Sequence, residues 1–319
     1  MTRHLAQVTV VGDDRKGIIA RVTTLLFERG VNVEDLDQAV QGGVFRMTLH
    51  VDTSDMVVKE ETLREALADL GDELGQDITI RFPGDRETDR IAVLVTKESH
   101  CLEALIEARK AGALDAELSV VVGNRDHLAP VAEDAGIPFY DVGDASGTPD
   151  EEWLLDILDE HDVDLVVLAR YMRILSPNVV FRYEDRIINI HPSLLPAFPG
   201  AEAYRQAREE GVRIAGVTAH YVTTDLDQGP VIAQRVFDVP DGAAVEDLEA
   251  RGQPLEAEAL VEAVRLHLDD ALTVYHGRTH LREESDDEAY QLGLSDEAHD
   301  ANPTEPVDGG LPESPEADD

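Results

Sequence analysis

Residues 186–200 read Arg186-Ile187-Ile188-Asn189-Ile190-His191-Pro192-Ser193-Leu194-Leu195-Pro196-Ala197-Phe198-Pro199-Gly200. The first six form a short apolar run that a buried strand would carry, and the strand breaks at Pro192. Asn189 and His191 stand two apart, so both project to one side of its carboxyl end. In open α/β sheets that end is where ligands bind. Twenty-seven residues after Gly200 comes Asp227, within Thr223-Thr224-Asp225-Leu226-Asp227-Gln228-Gly229-Pro230. An amide, an imidazole and a carboxylate can hold a carbonyl oxygen, shuttle a proton and set the charge of the shuttle. Together they suit attack on an acyl or formyl carbon.

Working outward from this strand, residues 90–282 alternate strand and helix. Strands are expected at 90–96, 117–123, 138–140, 164–168 and 186–190, with helices at 101–111, 127–136, 151–160 and 178–182. That order implies a mainly parallel, Rossmann-like sheet with right-handed crossovers. A helix at 202–210, strands at 218–222 and 230–238, and one long helix over 245–277 complete it, the last interrupted near Gly252 and Pro254. Residues 85–89 are charged and follow Pro83-Gly84, as a linker would. Residues 4–84 read strand (6–11), helix (17–29), strand (32–41), strand (43–52), helix (60–74), strand (77–82), a ferredoxin-like βαββαβ plait. The tail from 283 to 319 is acidic, holds proline and glycine with few large apolar groups, and is expected to be disordered.

The block Arg170–Pro230 resembles the catalytic core of the folate-dependent formyl-transfer enzymes, and Asn189, His191 and Asp227 match that family's catalytic trio. The resemblance implies a 10-formyltetrahydrofolate site. The segment around Met172, Arg173 and Leu175 is similar to the one that receives the pterin ring, and the loop from Thr223 to Asp227 to the one that closes over it, with His220 nearby. Arg173 read without the family is a surface cation.

Two regions choose within the family. Lys97-Glu98-Ser99-His100-Cys101-Leu102 stands where glycinamide ribonucleotide formyltransferases carry a Gly-Ser-Asn phosphate loop, and it is similar to the formyltetrahydrofolate deformylases. There is no glycine here for close backbone approach, and Glu98 would repel a phosphate. Read by itself, the stretch is a Ser99 helix cap beside a solvated His100. The second region is the N-terminal plait. Gly12-Asp13-Asp14-Arg15-Lys16-Gly17-Ile18 with Gly30-Val31-Asn32-Val33 resembles an ACT domain, in which Asp14, Gly17 and Asn32 would receive an amino-acid effector, glycine or methionine, between paired subunits. Gly17 would turn backbone N–H groups toward a ligand carboxylate.

An ACT domain followed by a formyl-transfer core is the architecture of the formyltetrahydrofolate deformylases. It implies hydrolysis of 10-formyltetrahydrofolate, which is substrate and not cofactor, formate for purine synthesis, and a homo-oligomer. No metal or other cofactor is implied. The chain departs at Pro192, where deformylases usually have a second histidine and transferases have proline. A formyltransferase using an amine acceptor therefore stays open, as does an inactive amino-acid-binding regulator.

The 319 residues carry a formal charge of −40, and only four lysines stand against 23 arginines. The tail after Arg282 contributes 14 acids and no Lys or Arg, which leaves −26 on the first 282 residues. Acid so distributed suits a cytoplasm at very high salt, where repulsion is screened. It argues against binding to nucleic acid or anionic membranes. Cys101, alone in the chain, has no intrachain disulfide partner. No signal-peptide pattern opens the chain, and no apolar run approaches the ~18 residues of a membrane span. A cytoplasmic protein is expected.

Overall fold

The computed structural model describes residues 5–82, 88–275 and 277–281. The expected linker lies mostly, and the expected acidic tail wholly, outside the described residues.

The N-terminal part runs β1 (Leu5–Asp13), α1 (Ile18–Glu28), β2 (Asn32–Gln41), β3 (Val44–Asp52), α2 (Glu60–Leu74) and β4 (Gln76–Arg81). Its antiparallel sheet has the order β2-β3-β1-β4. The period of its helices explains why they cover one face. Ile18, Val22 and Leu26 recur every four residues on α1, Leu63, Leu67 and Leu70 line one side of α2, and all are buried with Val8, Val10, Met47, Leu49 and Val51 of the strands. Each such side chain withdrawn from water contributes roughly 1.5–3 kcal/mol. α2 stops at Gly75, whose φ of 63° is the left-handed conformation of a helix C-terminus.

The second part begins with β5 (Asp89–Val95), α3 (His100–Lys110), β6 (Ala116–Gly123), α4 (Ala129–Asp134), β7 (Phe139–Asp141) and α5 (Glu151–Glu160). It continues through β8 (Leu165–Ala169), α6 (Pro177–Arg182), β9 (Ile187–His191), α7 (Ala203–Glu209), β10 (Ile214–Tyr221), β11 (Val231–Asp238) and α8 (Val245–Leu268). The sheet order is β11-β10-β9-β8-β5-β6-β7. β5 to β9 are parallel, and β10 and β11 add antiparallel strands at one edge. The expected mainly parallel α/β sheet is therefore present. β5 is fully buried from Ile91 to Val95, as a strand covered on both faces must be.

Three expectations change. The helix assigned to 245–277 ends at Leu268, and β12 (Leu272–Tyr275) with β13 (Arg278–Leu281) forms a hairpin in its place. α8 also runs unbroken through Gly252 and Pro254. Packing overrides propensity there, because Leu248, Gly252, Glu256, Ala259, Leu260 and Ala263 form a buried stripe along the helix. Finally, β10 starts at Ile214 and not at 218, because Ile214–Val217 pair with Arg235–Asp238.

The two parts meet through charged contacts. Arg81 Nη2 lies 3.0 Å from Asp164 Oδ1, and Arg182 Nε lies 2.7 Å from Asp77 Oδ2. Thr48 Oγ1 donates to Glu184 at 2.8 Å, and Arg46 pairs with the same carboxylate. Among the described residues no helix is long and apolar enough to cross a membrane.

Candidate active site

β9 delivers Asn189 and His191 at the carboxyl edge of the sheet, and the loop between β10 and β11 brings Asp227 to them. Gly229 permits that return: a Cβ there would lie 1.7 Å from the Tyr221 carbonyl oxygen. Asp227 itself has a φ of 54°, a strained value for a residue with a side chain, and its carboxylate is fixed by the Gly200 N–H at 2.7 Å. The same oxygen, Oδ2, lies 3.5 Å from His191 Nδ1. His191 Nε2 donates to the Phe198 carbonyl at 2.9 Å, so Nδ1 is the nitrogen that stays with Asp227 for acid–base work.

His220, on β10 opposite Asn189, completes the arrangement. Its Nδ1 donates to the Tyr221 carbonyl at 2.8 Å, which leaves Nε2 as an acceptor for the Asn189 amide at 3.1 Å. Burial pushes the His220 pKa below its ordinary value, so the ring stays neutral and keeps that acceptor. One Asn189 N–H is thereby committed, and the second is free to donate to a ligand.

All four residues line a cavity of about 520 Å³. Met172, Ile174 and Leu226 form its apolar rim and are 49%, 71% and 47% exposed. A flat ring system could lie on such a rim. The expected ring-binding segment is at this wall, with two adjustments. Met172 N–H is already donated to Thr96 Oγ1 at 2.9 Å, and Leu175 is buried, with its side chain in the core beneath. Arg173 is not a free surface cation, because its Nη2 donates to the Ser146 carbonyl at 2.8 Å. Thr223 is exposed at the mouth and donates to the Asp225 carbonyl at 3.2 Å.

A second group beside the cavity escaped the sequence reading. Glu256 of α8 is completely buried and is held by Tyr204 Oη at 2.5 Å, His100 Nε2 at 3.1 Å and Arg170 Nε at 3.4 Å. Burial raises its pKa, but the His100 bond, the Arg170 charge and the Tyr204 bond outweigh that, and it is held below the ordinary carboxylate value. Arg170 also faces Glu98 Oε1 at 4.0 Å. The reading of His100 as a solvated residue behind a Ser99 cap is corrected: Ser99 makes no side-chain cap bond, and His100 is tied to Glu256. Nothing in a Glu-rich helix marks Glu256 out; only the fold brings it here.

His100, Cys101 and Glu256 are the one set of metal-type side chains that converge among the described residues. They do not fit a metal. Glu256 is already engaged by Tyr204, His100 and the Arg170 cation, and burial followed by the Glu256 charge pushes the Cys101 thiol up, away from the thiolate a metal needs. The same shift makes Cys101 a poor nucleophile.

The expected ligand positions of the N-terminal part, Asp14, Gly17 and Asn32, are all at the surface. Asp14 and Gly17 are exposed, Gly17 has a φ of 93° at the start of α1, and the Asn32 amide donates to Glu34 at 2.8 Å. A cavity of about 630 Å³ opens between the two parts, and two of its four lining arginines, Arg81 and Arg182, are already paired with Asp164 and Asp77. The smaller cavity, with the trio, is the candidate active site.

The chain has relatives among known proteins. Residues 89–264 match the formyl transferase family and residues 4–81 the ACT domain family. A formyltetrahydrofolate deformylase of Bacillus subtilis is 38% identical over 83% of this chain and 90% of its own. The crystal structure of a formyltetrahydrofolate deformylase from Pseudomonas syringae superposes with a TM-score of 0.60 at 30% identity, covering 88% of this chain and 95% of that one. A glycinamide ribonucleotide transformylase from Symbiobacterium toebii has a TM-score of 0.58 and 36% identity, covering 63% of this chain and 96% of its own. With an ACT domain, a formyl transferase domain and a match along most of its length, the chain belongs to the formyltetrahydrofolate deformylase family.

Proposed function

We propose that this chain hydrolyses 10-formyltetrahydrofolate to formate and tetrahydrofolate, so supplying formate for purine synthesis and balancing the one-carbon folate pools. The observation that carries the reading is the meeting of Asn189, His191 and Asp227 in one apolar-rimmed cavity, in a chain that matches named deformylases through both domains.

The chemistry follows from where charge develops. Water bonds to the formyl carbon, and the carbonyl oxygen becomes an oxyanion. The free N–H of Asn189 donates to it, a contact whose loss typically costs ~100 to 1000-fold in rate. His191 Nδ1, beside Asp227, is the atom that passes a proton to N10. The C–N10 bond breaks, tetrahydrofolate leaves with that proton, and the two protons of water are lost, one to restore His191 by way of Asp227 and one to solvent as formate leaves. Asp227 stabilises the imidazolium and orients the water. No metal or other cofactor takes part.

The test is formate and tetrahydrofolate production from 10-formyltetrahydrofolate in molar KCl, with and without glycinamide ribonucleotide. Release without the amine supports hydrolysis. Pro192 favours a second reading, transfer of the formyl group to an amine, and turnover only with the amine present would establish it. The N-terminal part is proposed to bind glycine or methionine near Asp14, Gly17 and Asn32, in a homo-oligomer. The charge of −40 is proposed to fit a cytoplasm at high salt.

A further inference from the structure

In an open α/β sheet the ligand crevice lies where successive connections leave in opposite directions. Here β5 leads through α3 to β6 on one side, while β8 and β9 lie on the other, so the switch point falls between β5 and β8. The last residues of these strands, Val95 and Ala169, are direct register partners. Glu98 follows the first and Arg170 the second. The place where a glycine-rich turn and a helix start would receive an anion is therefore flanked by this chain's own charged side chains.

We propose that Glu98, Arg170 and Glu256, locked by His100 and Tyr204, are the device that selects the acceptor. They fill the switch-point crevice with protein charge, so that a phosphorylated amine has no place to dock and water takes the formyl group. The inference deepens, and rests on, the deformylase reading above.

Several observations converge on it. Arg170 and Tyr204 form part of the wall of the cavity that holds the trio, so the cluster borders the reacting centre. Arg170 has a φ of 62°, a conformation that glycine takes freely and other residues hold only when their surroundings over-determine it. Its positive charge faces two carboxylates, Glu256 at 3.4 Å and Glu98 at 4.0 Å, so an incoming phosphate would meet two carboxylates for one guanidinium. Stability does not account for the arrangement, because well-packed apolar residues hold a core at least as well as a buried ionic cluster. Tyr204 is kept a neutral donor to Glu256 by burial and by that carboxylate. Gly252 makes room for the contact: a Cβ there would lie 1.8 Å from Tyr204 Oη.

The experiment compares the full-length wild type with Glu98→Ser/Arg170→Gly, which removes one charge of each sign, and with the near-isosteric Glu98→Gln. Formate release from 10-formyltetrahydrofolate is measured against increasing glycinamide ribonucleotide, and binding of that ligand and of ribose 5-phosphate by calorimetry, at one fixed salt concentration. The wild type is expected to bind neither, with release unchanged within twofold. The double variant is expected to bind glycinamide ribonucleotide at least tenfold more tightly, seen as inhibition of release or as formyl transfer to the amine. Glu98→Gln is expected to gain at least threefold, and it carries the test if the double variant fails to fold. Competitive inhibition of the wild type by either ligand would overturn the proposal, as would folded variants that remain indifferent to both. A wild type that releases no formate without an amine would sink the deformylase reading instead.

Discussion

The Asn189 amide donates to His220 Nε2 at 3.1 Å, and that acceptor exists because His220 Nδ1–H is spent on the Tyr221 carbonyl at 2.8 Å. The histidine thus fixes which edge of the amide faces the cavity. Asn189→Ala is expected to lower kcat by ~100 to 1000-fold through loss of the oxyanion donor. His220→Ala leaves the donor present but unaimed, so its kcat should fall less, by about tenfold, with KM nearly unchanged. Steady-state kinetics of the two variants and their double would check this; a His220→Ala loss as large as that of Asn189→Ala would give the ring a role of its own.

Asp227 offers a cleaner separation of charge from fold. Gly200 N–H donates to Oδ2 at 2.7 Å, and an amide oxygen can accept that bond as well. Asp227→Asn should therefore keep the loop and the melting temperature while lowering kcat by about 100-fold or more, the scale of acid–base catalysis. Near-normal formate release in this variant would remove Asp227 from the mechanism.

Stability should depend on pH through His267. Burial, followed by the charges of Arg81 and Arg186, pushes its pKa down from 6.5 to about 4. The unfolded chain then binds the proton more readily than the folded one. The associated stability is complete above about 6.5 and is lost as pH falls toward 4, by at most about 3 kcal/mol and about 2 kcal/mol at pH 5. His220, also shifted down, adds in the same direction. His267→Gln, which can still pair with the Tyr221 hydroxyl that lies 2.9 Å from the native ring, should flatten the loss between pH 7 and 5 in urea unfolding. An unchanged slope would assign the acid sensitivity elsewhere.

The acidic surface gives a prediction about salt. With −26 on the first 282 residues, self-repulsion opposes compactness until it is screened, and the Debye length falls from about 10 Å at 0.1 M to about 3 Å at 1 M. The melting temperature should rise steeply between 0.1 and 1 M KCl. A flat response would mean the charge has another use.

Legibility followed the range of the interactions. The βαββαβ order and the parallel sheet were readable because Ile18, Val22 and Leu26, or the unbroken run Ile91–Val95, write their burial into local periodicity. The trio was readable because Asn189 and His191 share one strand, and the resemblance supplied Asp227. Glu256 was not, since its partners Arg170, Tyr204 and His100 come from three separate stretches of chain. Local rules misled at Gly252 and Pro254, where residues that break isolated helices sit inside α8. The hairpin 272–281 was missed because its strands have four residues each, too few to show a period.

Gly252 turns that misreading into a test. In an exposed helix, glycine to alanine stabilises by roughly 1 kcal/mol. Here a Cβ would come within 1.8 Å of Tyr204 Oη and 2.5 Å of its Cζ, so either the helix or the tyrosine must move. Movement of Tyr204 would break its 2.5 Å bond to Glu256 and leave a buried carboxylate short of a donor, a cost of about 1–3 kcal/mol. Gly252→Ala is therefore expected to lower the melting temperature despite its better helix propensity. Tyr204→Leu, which vacates the positions of the hydroxyl, Cζ at 2.5 Å and Cε1 at 2.9 Å, should remove the clash, so that Gly252→Ala costs less in its presence than alone. Additive losses in this double-mutant cycle would mean that glycine is needed at 252 for a reason other than the passage of Tyr204 to Glu256.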